Sequence, residues 1–279
     1  MFGTNVLRKQ VDGDGTKLWV QSFFHTIQGE GPFGGRPAVF LRLSGCNLAC
    51  YFCDTDFESK RREMTVEAIA KEIVSLSVGA PESIGKRTNL VVITGGEPLL
   101  QNITPLCLEL CYKYHLEVQL ETAGTVWQDG LERMIHSGML TIVCSPKTGR
   151  VHTKIQEHCH DWKYLIKEGC VSPDGLPSMS TQVEGKELKL YRPAAARPYD
   201  VIWLQPCEVY KVNYKKVGFH NDGTKALDHL KGQPLADQEV TSSARDEAGT
   251  RRNIELCAKL AMQHNYRVSV QLHKILGLP

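Results

Sequence analysis

The chain has 279 residues, a formal net charge of +2, 42% hydrophobic residues and 23% charged residues. That length allows a sizeable core in one large domain or two small ones, and the composition is that of a soluble globular protein. No dense basic run suggests a nucleic-acid surface, no apolar run approaches a membrane span, and Arg8 and Lys9 are not followed by the apolar stretch of a secretory signal, so a cytoplasmic protein is expected.

Residues 17–24 alternate and are rich in aromatics, which predicts a strand running into Thr26-Ile27-Gln28-Gly29-Glu30-Gly31-Pro32. The glycines and proline predict a tight loop that brings backbone, Gln28 and Glu30 close to whatever lies beside it. Residues 38–43 predict a short apolar strand with Arg42 as its one charge. A lone strand arginine is usually solvated or ion-paired; here it is also placed to present a guanidinium fork to a carboxylate.

That strand feeds Gly45-Cys46-Asn47-Leu48-Ala49-Cys50-Tyr51-Phe52-Cys53-Asp54-Thr55. Three cysteines spaced C-x3-C-x2-C can bind three corners of one cuboidal 4Fe-4S cluster, leaving the fourth iron to an outside ligand. The alternative is a structural zinc site completed by His25 or a more distant cysteine, but such sites more often pair two knuckles, and no second knuckle is present. The other cysteines, Cys107, Cys111, Cys144, Cys159, Cys170, Cys207 and Cys257, lie in apolar segments and read as small buried hydrophobes in a reducing cytosol. Asp54 and Thr55 offer hard oxygens suited to Mg2+, although the pair alone reads as a capped turn.

Farther on, Thr65 is set to cap a helix reaching about residue 78, with Val66, Ile69, Ile73 and Val74 on one face. Residues 89–93 predict a buried parallel strand ending in Thr94-Gly95-Gly96-Glu97-Pro98. Its two glycines either let a ligand approach the backbone or simply turn strand into helix. A helix over 101–114 with Cys107 and Cys111 in its core face, a strand over 116–120, a turn at Glu121-Thr122-Ala123-Gly124, a helix over 131–136 and a strand over 139–144 before Ser145-Pro146-Lys147 follow. Such alternation predicts an α/β fold, with a parallel sheet, helices outside it and ligands at the carboxyl ends of the strands. Residues 162–166 and 201–204 predict further strands, the latter ending at Gln205-Pro206-Cys207. A single domain over 1–279 is expected, with residues 169–200 as an insertion. Residues 211–244 have no pattern that places them, while 247–264 predicts a helix with Ile254, Cys257, Leu260 and Ala261 inward, and 267–270 a last strand.

The cysteine loop, with Phe52 just before its last cysteine, resembles that of the radical S-adenosylmethionine enzymes, and Thr94-Gly95-Gly96-Glu97-Pro98 resembles the element that holds the methionine moiety there. The glutamine-glycine loop Thr26–Gly31, the strand 38–45, Cys53-Asp54-Thr55, Glu121-Thr122, Ser145-Pro146-Lys147, Gln205-Pro206 and the tail Gln271-Leu272-His273-Lys274-Ile275-Leu276-Gly277 together resemble the 7-carboxy-7-deazaguanine synthase family. The resemblance implies an incomplete TIM-type barrel of parallel strands with outer helices, in a homodimer. It implies ring contraction of 6-carboxy-5,6,7,8-tetrahydropterin to 7-carboxy-7-deazaguanine with loss of ammonia, using a 4Fe-4S cluster on Cys46, Cys50 and Cys53, S-adenosylmethionine, Mg2+ and an electron donor such as a flavodoxin, with no direct nucleic-acid or membrane partner.

By the same resemblance Thr55 ligates Mg2+, and Phe52, Cys53, Asp54, Gly96, Ser145, Pro146, Lys147 and Gln205 contact the cofactor. Ile27, Gln28, Gly29, Glu30, Arg42, Thr94, Gln271, His273 and the carboxylate of Pro279 contact the pterin, with Arg42 on the substrate carboxylate. Leu272 stands where family members frequently have threonine, and residues 169–200 go beyond the compact members, as a lid, a dimer contact or a partner surface. A glycyl-radical activating enzyme shares the cysteine loop but has no use for a pterin-edge pocket. A zinc-binding interaction module would use the cysteines as ligands and has no use for such a pocket either.

Overall fold

The computed structural model describes residues 6–53, 55–78, 88–183, 185–194, 197, 199–216 and 238–278; the expectations for Asp54 and Pro279 lie outside them. In chain order come β1 (Lys17–Ile27), β2 (Pro37–Leu43), β3 (Arg62–Thr65), α1 (Val66–Ser77), β4 (Leu90–Gly95), α2 (Thr104–Leu108), β5 (Glu117–Thr122), α3 (Glu132–His136), β6 (Leu140–Cys144), α4 (Thr153–His158), β7 (Asp161–Ile166), β8 (Val201–Pro206), β9 (Tyr210–Lys216), β10 (Gln238–Arg245), α5 (Glu247–His264), β11 (Arg267–Val268) and α6 (Leu272–Ile275).

The described residues form a nine-stranded sheet in the order β11-β8-β7-β6-β5-β4-β2-β1-β3, together with a separate β9–β10 hairpin. Strands β2, β4, β5, β6, β7, β8 and β11 pair in parallel, whereas β1 pairs antiparallel with both β2 and β3. The sheet does not close, so the architecture is the incomplete α/β barrel expected from the sequence. Period-2 alternation sorts its side chains. Val39, Leu41, Leu43, Val91, Ile93, Val118, Leu120, Ile142, Trp162, Tyr164 and Leu204 belong to the main apolar core shared with the helices, while the intervening residues point to the other face.

Several elements differ from the expectation. β1 runs through Ile27, so Thr26 and Ile27 are strand rather than loop, and β3 and α4 carry no signal strong enough to have been predicted. The helix expected over 101–114 is shortened at its start. Gln101 instead accepts from Trp19 N at 2.7 Å and donates to Trp19 O and Ser44 O at 3.1 Å each, pinning β1 to the approach of the cysteine loop. Pro105 then sits in the first turn of α2, and Glu109–Lys113 continues as a π-helical turn. Cys107 and Cys111 are buried, as expected.

In α5, Cys257, Leu260 and Ala261 do face inward, but Ile254 is exposed, and Asn253 takes the inward place beside it. The reason is polar: Asn253 accepts from Glu168 N at 2.8 Å and donates to Cys207 O at 2.7 Å, stitching the helix to the ends of two strands. Cys170 and Cys207 are only partly buried and line a cavity, unlike the other cysteines grouped with them as core residues.

Candidate active site

Every parallel strand ends on the same rim, and the loops leaving that rim surround a cavity of about 950 Å³. The strand ends supply Thr94 to Gly96, Glu121 and Thr122, Ser145 to Lys147, Gln205 to Glu208, and Gln271 with His273. Side chains on the inner face of the sheet supply Phe24, Thr26, Gln28, Phe40, Arg42, Lys163 and Leu165. A ligand site at the carboxyl ends of the strands follows from this connectivity, because every crossover leaves from that edge.

Cys46, Cys50 and Cys53 all line this cavity, and all ten cysteines are free thiols. Burial pushes the Cys46 thiol up to about 12, so only a strongly electropositive group would draw its proton off. Among the described residues, no set of three or more His, Cys, Asp or Glu side chains could hold a single metal ion. A cuboidal cluster asks for no such convergence on one ion, because each thiolate bonds a different iron. His25, a candidate zinc ligand, instead lies outside the cavity lining with its Nε2 2.8 Å from Thr88 Oγ1.

Gly96 fixes the loop's position. A Cβ on Gly96 would lie 2.1 Å from Gly45 O and 2.8 Å from Cys46 Cβ, so the glycine is needed for backbone to pass beside the cysteine loop. Glu97 N donates to Gly45 O at 2.9 Å in the same contact. The Glu97 side chain is fully buried and accepts from Thr122 Oγ1 at 2.7 Å, Ala123 N at 2.8 Å and Leu99 N at 3.1 Å. Burial raises its pKa despite these donors. The glutamate is a clip between the ends of β4 and β5 rather than a ligand-facing group.

On the opposite wall, two carboxylates gather amides and hydroxyls. Glu121 accepts from Gln28 Nε2 at 3.2 Å, Gln119 Nε2 at 3.0 Å and Thr94 Oγ1 at 3.1 Å. Glu30 pairs with the Lys163 ammonium and accepts from Gln205 Nε2 at 3.1 Å and Gln271 Nε2 at 2.9 Å. Burial opposes ionisation of Glu30, but Lys163 and the Gln271 amide hold its carboxyl below the usual range. His273, which also lines the cavity, has its pKa lowered by burial, favouring the neutral imidazole. Arg42 donates from Nη1 to Thr55 Oγ1 at 3.3 Å and packs over Phe24.

Lys147 and Ser145 contact one another, and burial lowers the Lys147 pKa. Gln205 Oε1 is buried with no hydrogen-bond partner among the described residues, a vacancy that a ligand hydroxyl or amine could fill. Thus Gln28, Glu30, Arg42, Phe52, Cys53, Thr55, Thr94, Gly96, Ser145, Pro146, Lys147, Gln205, Gln271 and His273 share one cavity with Cys46 and Cys50. Ile27 and Gly29 do not line it. Gly29 lies under the tail instead, where a Cβ would come 2.2 Å from His273 Nδ1 and 2.8 Å from Leu272 N.

Lys163 and the role of Glu121 as a hub were not anticipated from the sequence, which leaves residues 169–200 open as a lid, a dimer contact or a partner surface. Lys163 interrupts an otherwise apolar strand, the one signal that could have marked it. The stretch 170–190 contributes Cys170, Pro177, Met179, Ser180, Thr181, Gln182, Val183 and Leu190 to the cavity, while Leu176 and Leu190 also join the main core.

The radical SAM superfamily model matches residues 41–167. The chain is 38% identical over 279 residues to the 7-carboxy-7-deazaguanine synthase of Rhodospirillum rubrum, covering 100% of both chains. The chain belongs to the 7-carboxy-7-deazaguanine synthase family. It is also 34% identical over 283 residues to the 7-carboxy-7-deazaguanine synthase of Rickettsia prowazekii, covering 100% of this chain and 96% of that one. The crystal structure of QueE from Escherichia coli shares the fold, with a TM-score of 0.55, 20% identity, and coverage of 91% of this chain and 93% of that one. As a radical SAM enzyme of the 7-carboxy-7-deazaguanine synthase family, the protein uses a 4Fe-4S cluster and S-adenosylmethionine. No helix among the described residues is long and apolar enough to cross a membrane.

Proposed function

We propose that the protein catalyses ring contraction of 6-carboxy-5,6,7,8-tetrahydropterin to 7-carboxy-7-deazaguanine with release of ammonia. The observation that carries this reading is a single cavity in which the three cluster cysteines face a wall of carboxylates, amides and one arginine. The cluster and S-adenosylmethionine, when bound, supply a carbon-centred radical for removal of hydrogen from C6 of the pterin. The remaining work is binding and orientation, which side chains can do.

The pterin's amide and amine edge mixes donors and acceptors. Glu30 and Gln28 provide the complementary set, because a carboxylate accepts only and a primary amide does both. Their existing bonds to Lys163, Glu121, Gln205 and Gln271 hold those groups at fixed angles before the substrate arrives. Arg42 pairs with the substrate carboxylate through its planar fork. Thr55, hydrogen-bonded to Arg42, supplies an oxygen to Mg2+, whose other ligands come from water and substrate. Thr94, Gln271 and His273 close around the ring, with the backbone of Ile27 and Gly29 behind Gln28. Gly96, Ser145, Pro146, Lys147 and Gln205, with residues 52–54, hold S-adenosylmethionine. The enzyme works in the cytoplasm as a homodimer, as one domain with an insertion at 169–200, and receives electrons from a flavodoxin-type donor.

Anaerobically reconstituted protein, supplied with carboxytetrahydropterin, S-adenosylmethionine, dithionite and Mg2+, is expected to form 7-carboxy-7-deazaguanine, identified by mass and ultraviolet spectrum. Cofactor cleavage without that product, from protein carrying four irons per chain, overturns the substrate assignment and leaves another radical SAM reaction. Cys50→Ala is expected to abolish cluster and cofactor cleavage together.

A further inference from the structure

Residues 178–180 run beside residues 186–188, with Ser180 N bonded to Lys186 O at 2.8 Å and Leu188 N to Ser178 O at 2.9 Å. Ser180 Oγ accepts from Gln182 N and Val183 N at 3.1 Å each. This segment is bolted to the cysteine loop. Tyr51 N donates to Thr181 O at 3.0 Å, and Thr181 Oγ1 donates to Lys147 O at 2.8 Å, tying the loop after β2 to the loop after β6.

Gln182 completes the contact. Ala49 N lies 2.8 Å from its Oε1, and because a backbone N–H can only donate, the oxygen end of the amide must face Ala49. The amino end then faces Cys50 Sγ at 3.1 Å and Thr181 Oγ1 at 2.8 Å. The Thr181 hydroxyl spends its proton on Lys147, so it accepts from Gln182, and both amide hydrogens have a destination.

We propose that Gln182 is a positioning residue for the cluster, donating an N–H···S bond to the sulfur of Cys50 that raises the cluster's reduction potential. The proposal rests on Cys50 being a cluster ligand. One-electron reduction adds negative charge that is shared by the ligand sulfurs, and a donor aimed at one of them is bound more strongly in the reduced state. No local sequence pattern marks Gln182, because the stretch that carries it has no helical or strand period.

The test is an anaerobic EPR-monitored redox titration of the reconstituted enzyme and two variants. Gln182→Leu removes both the donor and the anchor on Ala49, whereas Gln182→Glu keeps an acceptor for Ala49 and removes the donor. Both are expected to shift the reduction equilibrium about tenfold toward the oxidised cluster, which is about 59 mV more negative for one electron. An unchanged potential in either variant with four irons per chain overturns the proposal. If both variants lose iron, the wild-type enzyme decides. Pulsed EPR of its reduced cluster, prepared with side-chain 15N-labelled glutamine, is expected to show a nitrogen coupling, and its absence overturns the proposal. Wild-type protein holding no four-iron cluster also overturns it, and is distinguished by iron analysis as a failure of the cysteine assignment itself.

Discussion

Lys163 and Glu30, 133 residues apart in the chain, form an ion pair inside the barrel with side chains only 10% and 11% exposed. The pair joins the loop after β1 to β7 and sets the charge of one wall of the cavity. Replacing Lys163 by Met leaves a buried carboxylate without its principal counter-charge. A loss of about 3–5 kcal/mol of stability is expected. Denaturant titration checks it, and Lys163→Met combined with Glu30→Gln should recover part of the loss because the uncompensated charge is gone.

The same pair sets a pH dependence. Lys163 depresses the folded-state pKa of Glu30 below the ordinary value of 4.5. Stability from its ionised form is therefore fully present above about pH 4.5 and is lost as pH falls through the lower, folded value. Denaturation of wild type and Glu30→Gln at a series of pH values is expected to show the two curves converging on the acid side and separating toward neutrality.

Gly96→Ala tests the close passage beside the cysteines. The added methyl would overlap Gly45 O at 2.1 Å, so the loop must shift by more than a side chain can absorb. The expected result is a folded protein by circular dichroism with much less than the wild-type complement of iron after reconstitution. Wild-type iron content together with a wild-type EPR spectrum would show that the loop has room to spare.

At the other side of the cavity, Gly29→Ala drives a methyl against the His273 ring and the Leu272 amide. Leu272 N donates to Gly29 O at 3.3 Å, so the same change disturbs the bond that seats the tail. Faster limited proteolysis near the C-terminus and at least a tenfold rise in the substrate KM are expected, with cofactor binding little affected.

Arg42 and Thr55 separate substrate from metal effects. Arg42→Met is expected to raise the KM for the pterin by tenfold or more while changing that for S-adenosylmethionine little, because a lost charge-assisted pair is worth about 1.5–3 kcal/mol. Thr55→Ala should instead weaken the response to Mg2+ and leave the iron content intact. Initial-rate measurements with each component varied in turn resolve the two patterns.

The parallel sheet and the rim that carries the site were legible because the parallel strands are short apolar runs, each closed by a polar or glycine-rich turn. The cysteine spacing drew attention to the loop after β2, and Gln28, Glu30 and Arg42 line the same cavity as those cysteines. What local pattern could not convey was use. The glycines at 95 and 96 suit either ligand approach or a turn, and nothing in the pattern shows that Gly96 passes too close to Gly45 O for a Cβ; Ile254 reads as inward because it is apolar, whereas Asn253 holds that place through two backbone bonds. Lys163 and Gln182 act through partners more than a hundred residues away, and such pairings leave no mark on neighbouring residues.

The tail is seated by Gln271 on Glu30, Leu272 N on Gly29 O and Lys274 on Glu208 at 2.6 Å, while Gly31 N donates to Ser269 Oγ at 3.0 Å. The ribosome therefore delivers Cys46, Cys50 and Cys53 long before Gln271 and His273, which line the same cavity. A chain cut short before Gln271 would keep the cysteine loop but lose the bonds that seat residues 271–274 on Glu30, Gly29 and Glu208.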